Sequence, residues 1–169
     1  MKLIRTILLI AVALAIARVY THAQDASTSA RFVDSITVAP VAVLKGSEFT
    51  GNHTLGAGID IGFGVNDFVS IHVANYGFET DGWRSGVVDE TEVYAKANFA
   101  RFANESFVLY GKGGATRDWQ AQGWAMGVGL GAQLNLSQSI SLASDYTINA
   151  SFSDAPKYSV IRGLLNISF

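Results

Sequence analysis

Hydrophobic and polar residues alternate along most of the chain. The stretch LGAGIDIGFGV, residues 55–65, places apolar side chains at odd positions and glycine or aspartate at even positions. The stretch WAMGVGLGAQLNL, residues 124–136, repeats the pattern with its apolar residues at even positions. A period of two indicates a β-strand with one apolar face, because a helix would repeat every 3.6 residues.

The same alternation predicts an all-β chain of eight strands without a helix. The six further strands are expected over 36–44, 69–78, 90–99, 107–116, 140–152 and 158–169. Short connections are expected around 66–68, 101–106 and 137–139, and longer polar ones around 45–53, 79–87, 116–123 and 153–157. Short turns at one end and longer loops at the other are typical of an antiparallel up-and-down transmembrane β-barrel.

The turn lengths allow a test of register. Residues directly opposite each other in an antiparallel pair point to the same side of the sheet, so only certain turn lengths keep the apolar faces together. The expected opposite pairs are Val65 with Val69, Leu136 with Ile140, Phe99 with Phe107, and Trp124 with Phe152.

The N-terminus has the features of a secretory signal peptide. Lys2 and Arg5 precede an apolar run over 7–17, and small residues lead to an expected cleavage after Ala23. The run is too short to cross a bilayer as a helix, which needs about 20 residues. The alternative is an anchor helix at the N-terminus. Residues 1–23 are therefore predicted to be the leader, and residues 24–169 a single exported domain.

Charge and cysteine content limit the class of protein that this chain can be. The predicted leader contains three of the 12 basic residues, which leaves nine against 14 acidic residues and a net charge of −5. A net negative charge without a basic patch does not favour nucleic acid as a partner. The chain has no cysteine, so the exported domain must be stabilised by something other than disulfides.

The last predicted strand is YSVIRGLLNISF, residues 158–169. One face of this strand is apolar up to its last residue. A sheet inside a membrane cannot leave an edge open, because each unpaired backbone group in hydrocarbon costs several kcal/mol. We therefore expect the last strand to pair with the first and the apolar face to contact lipid. Aromatic residues expected at the two membrane interfaces are Phe63, Phe99, Phe107, Trp124, Phe152 and Phe169.

This pattern resembles the small eight-stranded bacterial outer-membrane barrels, the family of the OmpA transmembrane domain, OmpX and the opacity proteins. The resemblance implies a monomer in the outer membrane of a Gram-negative bacterium, with lipid and the outer-membrane assembly machinery as its partners. It also implies that the assembly machinery reads the last strand through Ile161, Leu165, Ile167 and Phe169.

The inward face carries the charged residues. An eight-stranded barrel is just wide enough inside for side chains, and charges removed from water persist only when they are paired. The predicted lumen network consists of Asp60, His72, Glu90, Glu92, Lys96, Lys112, Asp145 and Arg162. Within it, Glu92 and Asp145 are the candidate partners of Arg162. Its structural interpretation is a polar plug, and its functional alternative is an ion gate or narrow pore.

Catalytic interpretations have weaker support. His72, Asp60 and Ser70 share the inward face, as a serine-hydrolase triad would require, but no oxyanion site is identifiable. The chain is also similar in size to the outer-membrane lipid A deacylase barrels, which carry His-x-Ser-Asn. The matching stretch here is His72-Val73-Ala74-Asn75, with Ala74 where the nucleophile would stand. We therefore predict a protein that is not an enzyme and has no cofactor or metal.

Two classes of function remain open, and a third interpretation is disfavoured. The first is a structural or surface-interaction barrel whose loops meet an external ligand. The second is a lipid-modifying barrel enzyme or a narrow, porin-like pore. The third is a soluble lipocalin-like barrel, which is disfavoured because the glycine-rich inward face would fill a soluble core poorly. The loop residues that could meet a ligand are Phe49, Trp83, Arg84, Trp119 and Gln120.

Overall fold

The computed structural model describes residues 33–47, 53–79, 88–152 and 157–169. The predicted leader lies outside the described residues, and so do Phe49, Trp83 and Arg84. Among the residues that are described, there is no helix long and apolar enough to cross a membrane.

Eight antiparallel strands form one closed barrel in the order of the chain, so each strand pairs with its sequence neighbours and β8 pairs with β1. The predicted fold class is confirmed. The strands are β1 (Ser35–Ser47), β2 (His53–Gly64), β3 (Val69–Phe78), β4 (Glu90–Phe102), β5 (Phe107–Asp118), β6 (Trp124–Asn135), β7 (Ile140–Ser151) and β8 (Tyr158–Ser168).

Burial alternates residue by residue, with the polar side inward. In β7 every second residue is buried, and the buried set includes Asp145 and Asn149, whereas Leu142 is 47% exposed. Val128 in β6 is 70% exposed. This distribution is the reverse of a soluble barrel and is typical of a sheet whose outer face meets lipid.

Three of the four expected opposite pairs are confirmed. The backbone N–H of Val65 donates to the oxygen of Val69 at 2.9 Å, and the N–H of Leu136 donates to the oxygen of Ile140 at 2.9 Å. The N–H of Phe152 donates to the oxygen of Trp124 at 3.0 Å. These turns therefore keep one common apolar face.

The fourth expected pair, Phe99 with Phe107, is wrong. Strand β4 continues to Phe102, which lies opposite Phe107, and a β-bulge between Asn98 and Ala100 shifts the register. Such a bulge inserts one extra residue on one strand and so changes the pairing beyond it. The turn that follows has three successive residues with positive φ, Ala103, Asn104 and Glu105.

Inward glycines make room for aromatic rings on the neighbouring strand. A methyl group at Gly56, Gly58, Gly62 or Gly131 would overlap the ring of its directly opposite residue, and one at Gly114 would overlap the Cα and Cβ atoms of Tyr94. Because the lumen is narrow, a ring can lie flat over the sheet only where the opposite residue has no side chain. The pairs are Gly56 with Phe78, Gly58 with Tyr76, Gly62 with His72, Tyr94 with Gly114, and Tyr110 with Gly131.

The barrel closes where β1 meets β8. The Oγ1 of Thr37 lies 3.1 Å from the Oγ of Ser168, and Phe169 exchanges backbone hydrogen bonds with Ile36. The ladder runs through Val38 and resumes at Val41, so it skips the position of Pro40. Proline has no N–H to donate, which accounts for the interruption.

Candidate functional site

The lumen is organised around Arg162, which is 1% exposed. The alternation of β8 turns its side chain inward, directly opposite Asp145 of β7. Its Nε donates to Oδ1 of Asp145 at 2.8 Å, and its Nη2 donates to Oδ2 at 2.6 Å. Paired hydrogen bonds of this kind are among the strongest contacts that a guanidinium makes.

The remaining guanidinium nitrogen of Arg162 reaches across the lumen. Its Nη1 lies 2.6 Å from the hydroxyl of Tyr76, 3.1 Å from Oε2 of Glu92 and 3.5 Å from Oδ2 of Asp60. These partners belong to β3, β4 and β2. One side chain of the last strand therefore contacts three strands besides β7.

The ring of Tyr94 lies against both Arg162 and Lys112. The guanidinium carbon of Arg162 lies 4.6 Å from the centre of its ring, and Nζ of Lys112 lies 4.0 Å from it. The Tyr94 hydroxyl donates to Oδ2 of Asp60 at 2.5 Å, and Lys112 Nζ lies 2.6 Å from Oε1 of Glu92. Both cations thus combine a carboxylate contact with an aromatic face.

Five of the eight predicted network residues form one connected set of ion pairs, and a sixth, His72, is joined to this set through Asp60. We name this group the lumen cluster: Asp60, Glu92, Lys112, Asp145 and Arg162. Tyr76, Tyr94 and Tyr110 bind it through their hydroxyls. The sequence pattern did not identify these hydroxyls as ligands, because period two reports only which face a residue occupies.

Two further predicted residues, Lys96 and Glu90, lie around the cluster. Nζ of Lys96 donates to Oε1 of Gln133 at 2.6 Å and lies 4.2 Å from the Tyr110 ring. Glu90 forms an ion pair with Lys45, a residue that sequence reasoning placed in a loop. Strand β1 continues through Lys45 to Ser47, so extending its alternation by one residue would have found the pair.

Lys45 adds a fourth base to the predicted network. Among the described network residues, the acids are Asp60, Glu90, Glu92 and Asp145, and the bases are Lys45, Lys96, Lys112 and Arg162; a further acid, Asp118, lies 3.9 Å from Lys45 at the loop end. A balanced set is what a site removed from bulk water requires.

His72 forms the contacts of a hydrolase triad. Its Nε2 lies 2.8 Å from Oγ of Ser70, and its Nδ1 lies 2.7 Å from Oδ1 of Asp60. Asp60, however, also binds Tyr94 and Arg162, and the imidazole is stacked on the Tyr94 ring with 4.7 Å between ring centres. The histidine is thus bound into the polar interior on three sides.

Metal ligation has no candidate cluster in the part of the chain that the structure describes: no three His, Cys, Asp or Glu side chains lie close enough to hold an ion.

The rim at the loop end is tied to the barrel. Nε1 of Trp119 donates to Oγ1 of Thr91 at 2.9 Å, while the Trp119 ring is 54% exposed. Nε2 of Gln120 donates to Oδ1 of Asp89 at 2.6 Å. Both loop residues are therefore held in fixed positions at the surface.

Outward aromatic residues lie at both ends of the barrel. Phe63, Phe99, Phe107 and Phe169 are near the turns, and Trp124 and Phe152 are near the loops. Phe102, which the sequence interpretation assigned to a turn, is also outward and 53% exposed. Outward on β8 are Ile161, Leu165 and Ile167.

No family model matches the chain, and no curated protein matches it in sequence. Solved structures do match. Neisserial surface protein A has a TM-score of 0.58 at 11% identity, covering 80% of this chain and 96% of that one. The N-terminal β-barrel domain of OprF from Pseudomonas aeruginosa has 0.56 at 13%, covering 79% and 97%. A de novo designed transmembrane β-barrel has 0.56 at 12%, covering 83% and 100%. The chain thus has the fold of the small eight-stranded outer-membrane barrels.

Proposed function

We propose that this chain is an outer-membrane barrel with a structural or surface-interaction role and a closed polar lumen. The observation that carries the proposal is Arg162, a buried cation bound to carboxylates from β2, β4 and β7. Such cross-links occupy the space that a pore would need, because an eight-stranded barrel is only wide enough for its own side chains.

The surface supports a location in the outer membrane. Apolar residues cover the outside, and aromatic residues lie at both ends, where the two membrane interfaces would be. In this proposal, residues 1–23 direct export, and the assembly machinery reads Ile161, Leu165, Ile167 and Phe169. The fixed rim residues Trp119 and Gln120 would then face an external ligand.

The test uses residues 24–169 refolded into phosphatidylcholine vesicles. We expect a β-type circular dichroism spectrum, protection of the strands from added protease, and no channel steps in a planar bilayer. The variant Asp145→Ala, which removes the paired contact of Arg162, provides a comparison for conductance.

Channel steps in the wild-type protein would instead support the narrow-pore alternative. A protein that stays soluble without lipid or detergent would contradict the membrane location.

A further inference from the structure

The outer face carries an apolar groove in the half of the barrel nearest the loops. Its volume is about 490 Å³. The side chains and backbone that line it come from β5, β6 and β7 and from the residue before β8: Gly113, Met126, Val128, Ile148, Ala150 and Lys157.

Small outward residues create the groove. On β5 the outward positions are Gly111, Gly113 and Ala115, and a Cβ added at Gly113 would meet only one backbone oxygen, at 3.9 Å. Met126 and Val128 stand beside them on β6 and are 55% and 70% exposed. The floor of the groove is therefore bare backbone, and large apolar side chains border it.

Two cations flank the groove at its loop end. Arg117 of β5 lies opposite Trp124, and its guanidinium carbon is 5.6 Å from the Trp119 ring centre and 5.4 Å from that of Trp124. Lys157 lines the other side. Neither cation forms an ion pair with a carboxylate of the described residues, although other basic residues of the barrel do.

The geometry points to a binding site for a phosphorylated, acylated lipid of the loop-side leaflet. An acyl chain would lie in the groove, and phosphates would bind Arg117 and Lys157. Arg117 is on β5 and Lys157 precedes β8, three strand spacings of about 4.8 Å away along the curved wall of the barrel. One phosphate is too small to contact both cations, so a lipid with two phosphates fits better. The inference rests on the proposed membrane location.

A second copy of this chain is a poorer occupant. Two copies that met at this groove would bring Arg117 and Lys157 of each close to the same cations of the other. An anionic lipid instead supplies the charge that both cations lack, and each basic residue near an anionic membrane surface contributes about fivefold to its attraction to that surface.

The experiment measures binding of fluorescent diphosphorylated lipid A to the barrel in phosphatidylcholine nanodiscs. We expect Arg117→Gln and Lys157→Gln each to weaken binding about fivefold, and Lys157→Arg to retain it. Monophosphorylated lipid A should bind more weakly to the wild type than the diphosphorylated form does. Gly113→Val, which fills the groove and leaves both charges in place, should also weaken binding.

Matched controls separate the site from general effects. Gly163→Val adds the same side chain at an outward position of β8 with nothing within 4 Å, and Arg101→Gln removes a positive charge at the turn end. Both should bind like the wild type. Equal losses in the controls, or unchanged binding in all the groove variants, would overturn the lipid site.

The two proposals can fail separately. A protein that does not enter a bilayer contradicts the proposed function, and a protein that inserts but binds lipid A independently of the groove contradicts only this inference. If Gly113→Val changed the oligomeric state and not lipid binding, the groove would be an interface between copies, and the lipid inference would be wrong.

Discussion

Arg162 and Asp145 lie directly opposite each other on β8 and β7 and are joined by two hydrogen bonds of 2.8 and 2.6 Å inside the barrel. The same guanidinium reaches Tyr76 and Glu92 on the far side. The last strand is thus attached to the rest of the barrel by side chains as well as by its backbone ladder.

We predict that Arg162→Ala strongly destabilises the barrel. Three carboxylates would lose their shared cation, and removing one partner of a buried ion pair costs about 3–5 kcal/mol. The measurement is the urea dependence of unfolding from lipid vesicles. Arg101→Ala is the control, because Arg101 lies at the turn end, where it contacts the exposed Glu105, the backbone oxygen of Asp67 and the Phe68 ring, and an exposed ion pair contributes about 0–1 kcal/mol. Equal midpoints for Arg162→Ala and the wild type would refute the plugged lumen.

We predict that Gly114→Ala destabilises the barrel and Gly163→Ala does not. A methyl group at Gly114 would overlap Tyr94 and the backbone oxygen of Val93, whereas Gly163 faces open space on the outer side. Overpacking typically costs about 1–3 kcal/mol. The same unfolding assay distinguishes the two variants. If both substitutions had equal effects, the close approach of Val93 and Tyr94 would not require the glycine.

We predict that Phe169→Ala impairs assembly in cells more than it lowers stability in vitro. Losing the apolar contacts of the ring costs about 1.5–3 kcal/mol at most, and Phe169 is 65% exposed toward the region where lipid would lie. The measurement compares outer-membrane yield in cells with the unfolding free energy of the refolded protein.

Phe102→Ala is the matched control for Phe169→Ala, because Phe102 is an outward phenylalanine that is also at the turn end but belongs to β4. Its yield in cells should follow its stability. A normal cellular yield for Phe169→Ala would exclude a role of the ring in insertion.

We predict that Ser70 is not a nucleophile despite its 2.8 Å contact with His72. Asp60 is shared with Tyr94 and Arg162, and the face is luminal, so a substrate would have to enter a filled interior. A fluorophosphonate probe should therefore leave the refolded wild type unlabelled. Labelling that disappears in Ser70→Ala would show that the triad is active and would favour a lipid-modifying enzyme.

The alternation of the sequence predicted the strands and the inward face of each charged residue, because a period of two depends only on local geometry. The predicted partners of Arg162, Glu92 and Asp145, both bind it. The alternation did not predict the contacts of Arg162 with Asp60 and Tyr76, because these depend on the stagger of the closed barrel.

Two errors have local causes. The bulge near Phe99 shifts the alternation of β4 by one residue, so Phe102 falls out of phase with the preceding apolar positions and was assigned to the turn. Lys45 was assigned to a loop because a lysine beside glycine ends an apolar run, although its strand continues to Ser47. In both cases, pairing with a neighbouring strand extends an element beyond its apolar residues.

The interruption at Pro40 has a consequence for how the barrel comes apart. The ladder between β1 and β8 joins Thr37 to Ser168, which are 131 positions apart, so the chain gains this contact at the greatest entropic cost of loop closure. It is also the ladder that lacks a proline N–H donor. In native-state hydrogen exchange, the amides of the β1–β8 ladder should therefore exchange with solvent before those of the β5–β6 ladder. The β5–β6 ladder is continuous from Phe107 to Arg117.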